Sequence, residues 1–558
     1  MNPAPLPTAP SLILGRHQLP GGTSLAAPAG TADWQQLVQQ VGIKAAATQV
    51  DGSFAVGWTD PQGRSVLAVD RFAIETLCYR VDQGRLRFAA RADTLADSGT
   101  PIDPQAIFDY LYFHCIPSPR TIFQGIYRLP PGHCAVFENG QLSVERYWTP
   151  EFTEQKNPSF SALKEEMSAL LDTAVKRQLD GSKPACFLSG GVDSSTVAGL
   201  IRRVSGTSPA GYSIGFDAAG YDEMEYARLA ARHFGCEHHE YYVTPRDLVA
   251  GISKVAAHFD QPFGNSSALP AYYCANFARE QGITRLLAGD GGDELFGGNA
   301  RYATQRVFSW YGKLPGALRT QVLEPLFPAG AYQNISLLRK GSGYINQARE
   351  PMPDRLQQYN LLRRLGMEQV LSPAFLAQVE PGDVLRQQRG VWAGAHAESE
   401  LNRTLAYDWR YTLAESDLPK VRSTAQLANI AIGFPLLDLD LLNFSMRLPA
   451  NYKLKGFKLR WFFKEALRGF LPDEILTKKK HGFGLPFGVW ATQDAPLAKL
   501  AAQSLQSLST RGIVQPAFID KLLGEYLPVH PGYYGEMVWI LMMLEQWLQQ
   551  HAPEYRLR

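Results

Sequence analysis

The sequence predicts an α/β protein in which an N-terminal, sheet-rich domain over residues 1–150 precedes a doubly wound parallel-sheet domain with a helical extension over residues 160–550. Three observations carry that prediction. The apolar run 185–188 breaks into Ser189-Gly190-Gly191 and resumes as a helix-like stretch at 196–201. A second buried run, 285–288, ends in another glycine-rich turn, and strands that feed helices in this way belong in parallel sheets. Residues 50–58 and 67–72 instead alternate like sheet strands. At 558 residues the chain also exceeds one compact core.

The first strand-to-helix junction reads Ser189-Gly190-Gly191-Val192-Asp193-Ser194-Ser195. Glycines let the backbone approach phosphate oxygens, the free N–H groups of a helix start point at the ligand, and the serine hydroxyls add donors. A Gly-Lys-Ser/Thr ending is missing, so this is not a Walker A loop. Asp193 would repel a bare phosphate, and its presence argues for a bridging magnesium ion.

The second junction reads Gly289-Asp290-Gly291-Gly292-Asp293-Glu294-Leu295-Phe296-Gly297-Gly298. Ligands of open parallel sheets sit at the carboxyl ends of strands, so both loops can converge on one nucleotide. Asp290 and Asp293 share one tight turn, and Asp293 with Asp193 offers magnesium hard oxygen ligands from two loops.

The first loop resembles the pyrophosphate loop of the ATP pyrophosphatase superfamily, and the two loops together resemble those of the asparagine synthase family. The likeness continues through 212–217, 260–263, 266–270, 465–472 and Lys478-Lys479-Lys480-His481-Gly482-Phe483-Gly484, and so covers most of residues 160–490. It implies ATP and Mg²⁺ as cofactors, with cleavage between the α- and β-phosphates and adenylation of a carboxylate. By position, Ser189, Gly190, Gly191, Asp193, Ser194, Ser195, Gly289 and Gly291 would bind the nucleotide, and Asp193 and Asp293 the metal. The resemblance further implies that Asp290 takes a proton from the incoming amine and that Lys480 neutralises charge on the phosphates and the tetrahedral intermediate. Lys478 and Lys479 read as a solvated basic loop.

Residues 1–150 resemble the family's glutaminase domain, which implies an αββα sandwich, but depart from its chemistry. Glutamine hydrolysis in such domains uses an N-terminal cysteine, whereas Asn2-Pro3-Ala4-Pro5 follows Met1 and Cys78 is the first cysteine in the chain. An Asn-Gly-Glu motif and a later acidic dyad are not recognisable, Val69 replaces an arginine, and Ala73 a glycine. The expectation is a domain without its own glutaminase activity. Farther on, Arg422 stands in place of an aspartate, Ala431 of a glutamate and Gly433 of an arginine, which opens the identity of the acceptor.

Charge is nearly balanced at +2, and basic clusters are short, so no nucleic-acid or membrane surface is expected. No run approaches a bilayer span, and six unpaired cysteines read as buried thiols of a reducing, cytoplasmic compartment. Cys236, His238 and His239 read as a strand edge rather than a zinc site. Helical spacing at Leu361, Leu362, Leu365 and Met367, and the apolar run 537–544, predict helices packed around the second sheet.

The leading functional expectation is an AMP-forming carbon–nitrogen ligase acting on aspartate. Its partners are a small carboxylate and a nitrogen donor: ammonia, the product of a separate glutaminase, or an amine. The second is an amide former resembling β-lactam synthetases and lasso-peptide cyclases, with a peptide or amino-acid derivative as substrate. The third is a non-catalytic nucleotide-binding scaffold, against which both intact acidic loops argue.

Overall fold

The computed structural model describes residues 11–20, 29–312, 314–327, 336–478 and 484–557, without the side chains of 310 and 336–341. Lys479, Lys480, His481, Gly482 and Phe483 lie outside these residues.

The N-terminal region is a five-stranded antiparallel sheet in the order Ser11–Leu14, Ala55–Thr59, Ser65–Val69, His133–Glu138, Gln141–Arg146. Period-two alternation gives each face its own core. Val56, Trp58, Val66 and Ala68 pack under the helices Thr31–Val41 and Ile43–Gln49, around buried Trp34. Ala55, Leu67, Val69 and Phe137 face a second sheet of Arg85–Ala89, Cys78–Asp82 and Tyr127–Arg128.

The helix Pro104–Phe113, started by an Asp103 cap that accepts from the Gln105 N–H, buries every residue from 106 to 112. Asp109, its one buried charge, pairs with Arg120 at 2.9 Å, and the rest of the stretch is enclosed by the C-terminal core, where the Tyr110 hydroxyl donates to the Ile540 carbonyl at 2.8 Å. Ile540 belongs to the terminal helix Pro531–His551, whose residues 537 to 548 are all buried. Its methionines fill the core, as the sequence implies.

The second sheet is wholly parallel, in the order Glu237–Val243, Ala210–Phe216, Ala185–Phe187, Arg285–Leu287, Ala431–Gly433. Cys186 and Leu287 point into one core with the helices Phe160–Gln178 and Val192–Ser205. Ala185 and Leu286 point into the other, with Pro245–His258 and Ala268–Glu280. The chain runs outward from Ala185–Phe187 to one edge, then returns to add Arg285–Leu287 on its other side, which makes these two neighbours the switch point of the sheet.

The two regions are tied together by Glu415, buried in a π-helical turn over Trp409–Asp417. It accepts from the Ser118 N–H at 3.1 Å and hydroxyl at 2.7 Å, and pairs with Arg128 and Arg410.

All six cysteines are free, five of them buried. His238 shares a hydrogen bond with the Ser213 hydroxyl at 2.7 Å, and His239 stacks on Tyr212 at 4.7 Å, so both side chains are engaged within the sheet edge. Among the described residues, no helix is long and apolar enough to cross a membrane.

Candidate functional site

Both predicted loops leave the two strands at the switch point. Gly190 adopts a positive φ of 69°, and a Cβ there would lie 2.4 Å from the backbone of Ala227 and Tyr226. The turn therefore requires glycine, and it presents Gly191 as the cap of the helix Val192–Ser205. Ser189 and Ser194 share a hydroxyl contact of 3.0 Å, and the Ser194 hydroxyl accepts from the Ser189 N–H at 3.2 Å, which fixes the curl of the loop. Ser189 is exposed and Asp193 half-buried, whereas Ser195 is fully buried.

The second loop lies directly against the first. A Cβ on Gly289 would stand 2.9 Å from the Ser194 nitrogen, and one on Gly292 would stand 2.1 Å from Asp193 Oδ1. Only bare backbone lets the two loops close to this distance. Gly291, at φ 101°, caps the short helix Gly292–Phe296, and Asp293 sits in its first turn. Gly298 completes the cradle, since a Cβ there would overlap Asp293 and Arg460.

Asp193 and Asp293 converge, and the group that joins them is Arg460. Its Nη1 donates to Asp193 Oδ1 at 2.5 Å, and its Nη2 pairs with Asp293 Oδ1. Arg460 has a left-handed φ of 51°, and its N–H donates to the Gly297 carbonyl at 3.1 Å, so the second loop itself orients the arginine. Sequence reasoning missed it; the nearest signal was the segment beginning at Glu465, five residues on.

Asp290 lies beside a buried acidic group that was also not foreseen. Burial pushes its carboxyl up to about 6, with the Lys420 charge opposing that rise. Glu294 is pushed well above the carboxylate range by burial, and the Asp417 charge adds to the rise. Lys420 pairs with Asp417 at 2.9 Å; burial works against its charge, but Asp417 and Asp290 keep its pKa raised. The result is a proton-holding cluster at the foot of the acidic turn.

Lys478 corrects the expectation of a solvated loop. Its ammonium pairs with Glu223 at 3.0 Å and lies 4.2 Å above the Tyr226 ring, with its side chain only 8% exposed.

These features decide the family when set beside known proteins. The "Asparagine synthase" family model matches residues 166–549. The chain belongs to the asparagine synthase family. The "Glutamine amidotransferase domain" model matches residues 29–148. Asparagine synthetase [glutamine-hydrolyzing] 1 of Bacillus subtilis is 23% identical over 508 residues, which span 90% of this chain and 78% of that protein. A putative asparagine synthetase of Mycobacterium tuberculosis is 25% identical over 519 residues, 89% of this chain and 76% of its own. A putative asparagine synthetase of Methanocaldococcus jannaschii reaches 35% over 259 residues, 45% of this chain and 50% of its own. This asparagine synthase family chain is a carbon–nitrogen ligase of an ATP-dependent class that typically uses Mg²⁺.

Two of the sequence departures have structural partners. Arg422, where the family has an aspartate, donates to the Thr76 hydroxyl at 3.0 Å and reaches Glu75 at 3.5 Å, both in the N-terminal region. Gly433, where an arginine was expected, leaves room for Arg285 on the next strand, whose Nη2 would lie 2.8 Å from a Cβ at 433.

Proposed function

We propose that this chain adenylates a carboxylate with ATP and Mg²⁺ and passes the acyl group to nitrogen, with aspartate as the leading acceptor. The observation that carries the reading is the meeting of Asp193 and Asp293 at the switch point, with Asp290 on the same turn. Two hard carboxylate donors already gathered around one cation suit a divalent ion, so Asp193 and Asp293 would hold magnesium. When bound, the ion shields the phosphates and makes pyrophosphate a better leaving group.

The chain's own residues do the rest. The Ser189, Gly190, Gly191 and Ser194 loop cradles the pyrophosphate, closed from the far side by Gly289 and Gly291. Arg460, displaced from the two carboxylates, remains beside the phosphates as a fixed cation. Asp290, ionised above about pH 6, accepts the proton of the attacking nitrogen. Lys480 serves as a second cation at the tetrahedral intermediate.

We assign no glutamine hydrolysis to the N-terminal domain. Its cysteines are Cys78, Cys115 and Cys134, all buried, and burial raises each thiol, Cys115 to about 12 and Cys134 to about 11. None is a thiolate nucleophile near neutral pH. Nitrogen then comes from ammonia, a separate glutaminase or an amine.

The engagement of Arg422 with Glu75 and Thr76 favours a second reading, an amide former of the β-lactam synthetase or lasso-peptide cyclase kind. Of the three positions whose charges shape the family's acceptor site, two are uncharged here and Arg422 engages the N-terminal region instead, so a different carboxylate would be accepted.

A substrate panel read by pyrophosphate separates them. Release with aspartate and ammonium supports the first reading, and release only with a peptide or amino-acid derivative the second. Nucleotide binding with no release under any condition overturns both.

A further inference from the structure

Between the N-terminal sheet and the far edge of the parallel sheet lies a cavity of about 330 Å³. One part of its wall carries Arg16 and Arg285. Both reach the same carboxylate, Asp180, at 3.2 and 4.0 Å, so two guanidiniums share one negative charge. Arg285 is 7% exposed, and burial, with Arg16 beside it, lowers its pKa to about 10. Arg16 Nε and Nη2 and Arg285 Nε find no acceptor among the described residues.

Another part of the wall shows the reverse imbalance. Asp51 and Asp438 line it, and with Asp440 they converge on the single guanidinium of Arg177, at 3.3, 2.8 and 3.0 Å. Three carboxylates there share one positive charge. The remaining acids of the wall are engaged: Asp70 accepts from four backbone N–H groups, and Glu75 pairs with Arg422. Between the charged groups lie the apolar Phe72, Ile74, Phe434 and Leu442, together with Gln426 and with Gln178, whose Oε1 accepts from Arg285 Nη2 at 2.7 Å.

A wall with surplus positive charge, surplus negative charge and an apolar surface matches a zwitterion with a hydrophobic tail. We propose that this cavity binds a free α-amino acid with an apolar side chain, its carboxylate held by Arg16 and Arg285 and its ammonium set against Asp51 and Asp438. The cavity adjoins the transfer chemistry: Arg422, Ala431 and Gly433, the positions that depart from the family, are in its lining. Leu437 lines the cavity and also lies against Gly291 of the acidic turn, where a Cβ would stand 2.3 Å from its Cδ2. Arg285 opens the strand that ends in that turn. A ligand here clamps the two regions together and braces the turn that carries Asp290.

The test is calorimetric titration of the full-length protein, without nucleotide, with L-norvaline and with its two halves, pentanoate and butylamine. Norvaline is expected to bind at least about tenfold more tightly than either half, because only it answers both charge surpluses. Arg16→Gln and Arg285→Gln should each weaken norvaline by about tenfold or more, while Arg16→Lys retains most of the binding. Arg16 is more exposed than Arg285, its side chain 21% against 7%, so its variants test the site even where Arg285→Gln fails to fold. ATP affinity in Arg16→Gln should match the wild type. Norvaline binding no tighter than its halves, or unchanged in Arg16→Gln, overturns the assignment, whatever the outcome of the pyrophosphate assays.

Discussion

Arg460 Nη1 donates to Asp193 Oδ1 at 2.5 Å while the same guanidinium pairs with Asp293, so one arginine holds the tips of two neighbouring strands together. Removing it should leave two carboxylates facing each other with no cation between them. Arg460→Met is expected to melt below the wild type in EDTA and to regain most of the loss in millimolar Mg²⁺. The wild type should respond little to the same addition. Differential scanning fluorimetry with and without the metal checks this, and a variant indifferent to Mg²⁺ would show that the carboxylates do not form a cation site.

Asp290 gives the pH dependence. Its carboxyl, raised to about 6 by burial, must be ionised to accept a proton. The kcat/KM for pyrophosphate release should be level above about pH 7 and fall with unit slope below about 6. Stability has the opposite sign: a carboxyl raised in the folded state stabilises below its unfolded value and loses that contribution as pH rises through about 6. Asp290→Asn should therefore lower turnover by about a hundredfold and melt above the wild type at pH 8.

Gly292→Ala tests how closely the loops must meet. A Cβ at that position would lie 2.1 Å from Asp193 Oδ1, so the carboxylate has to move. The displacement falls on the half-buried Asp193 side chain rather than on the sheet, and the far-ultraviolet spectrum should be unchanged. Turnover should drop by about a hundredfold, the scale of a misplacement near 1 Å.

Glu415→Ala tests the junction between the two regions. The change leaves Arg128 and Arg410 buried without their carboxylate, and Ser118 without its acceptor. A loss of about 3–5 kcal/mol is expected, visible in chemical denaturation, with limited proteolysis accelerating between the regions. Glu415→Gln, which keeps an acceptor but not the charge, should fall between the two.

The architecture and both loops were readable because each rests on local signals. An apolar run ending in glycines before a helix needs no distant partner to be recognised, and alternation over 50–58 and 67–72 marked the strands found at Ala55–Thr59 and Ser65–Val69. What escaped depends on contacts across the chain. Arg460 is an unremarked arginine until Asp193 and Asp293 close on it. Lys478 appeared solvated because nothing nearby in sequence reveals Glu223 and Tyr226. Glu415 and Ser118 are separated by 297 positions, and no periodicity connects them. The packing of Arg285 against Gly433 is a relation between two strands, which a single sequence does not display.

The most direct test of the account is the fate of ATP itself. Wild-type protein incubated with ATP, Mg²⁺, aspartate and ammonium, alongside the peptide and amino-acid-derivative panel, is analysed by chromatography of the nucleotide products. Formation of AMP and pyrophosphate in equal amounts, abolished in Asp193→Ala, is the predicted result. Formation of ADP and inorganic phosphate, or undiminished AMP from Asp193→Ala, would contradict it.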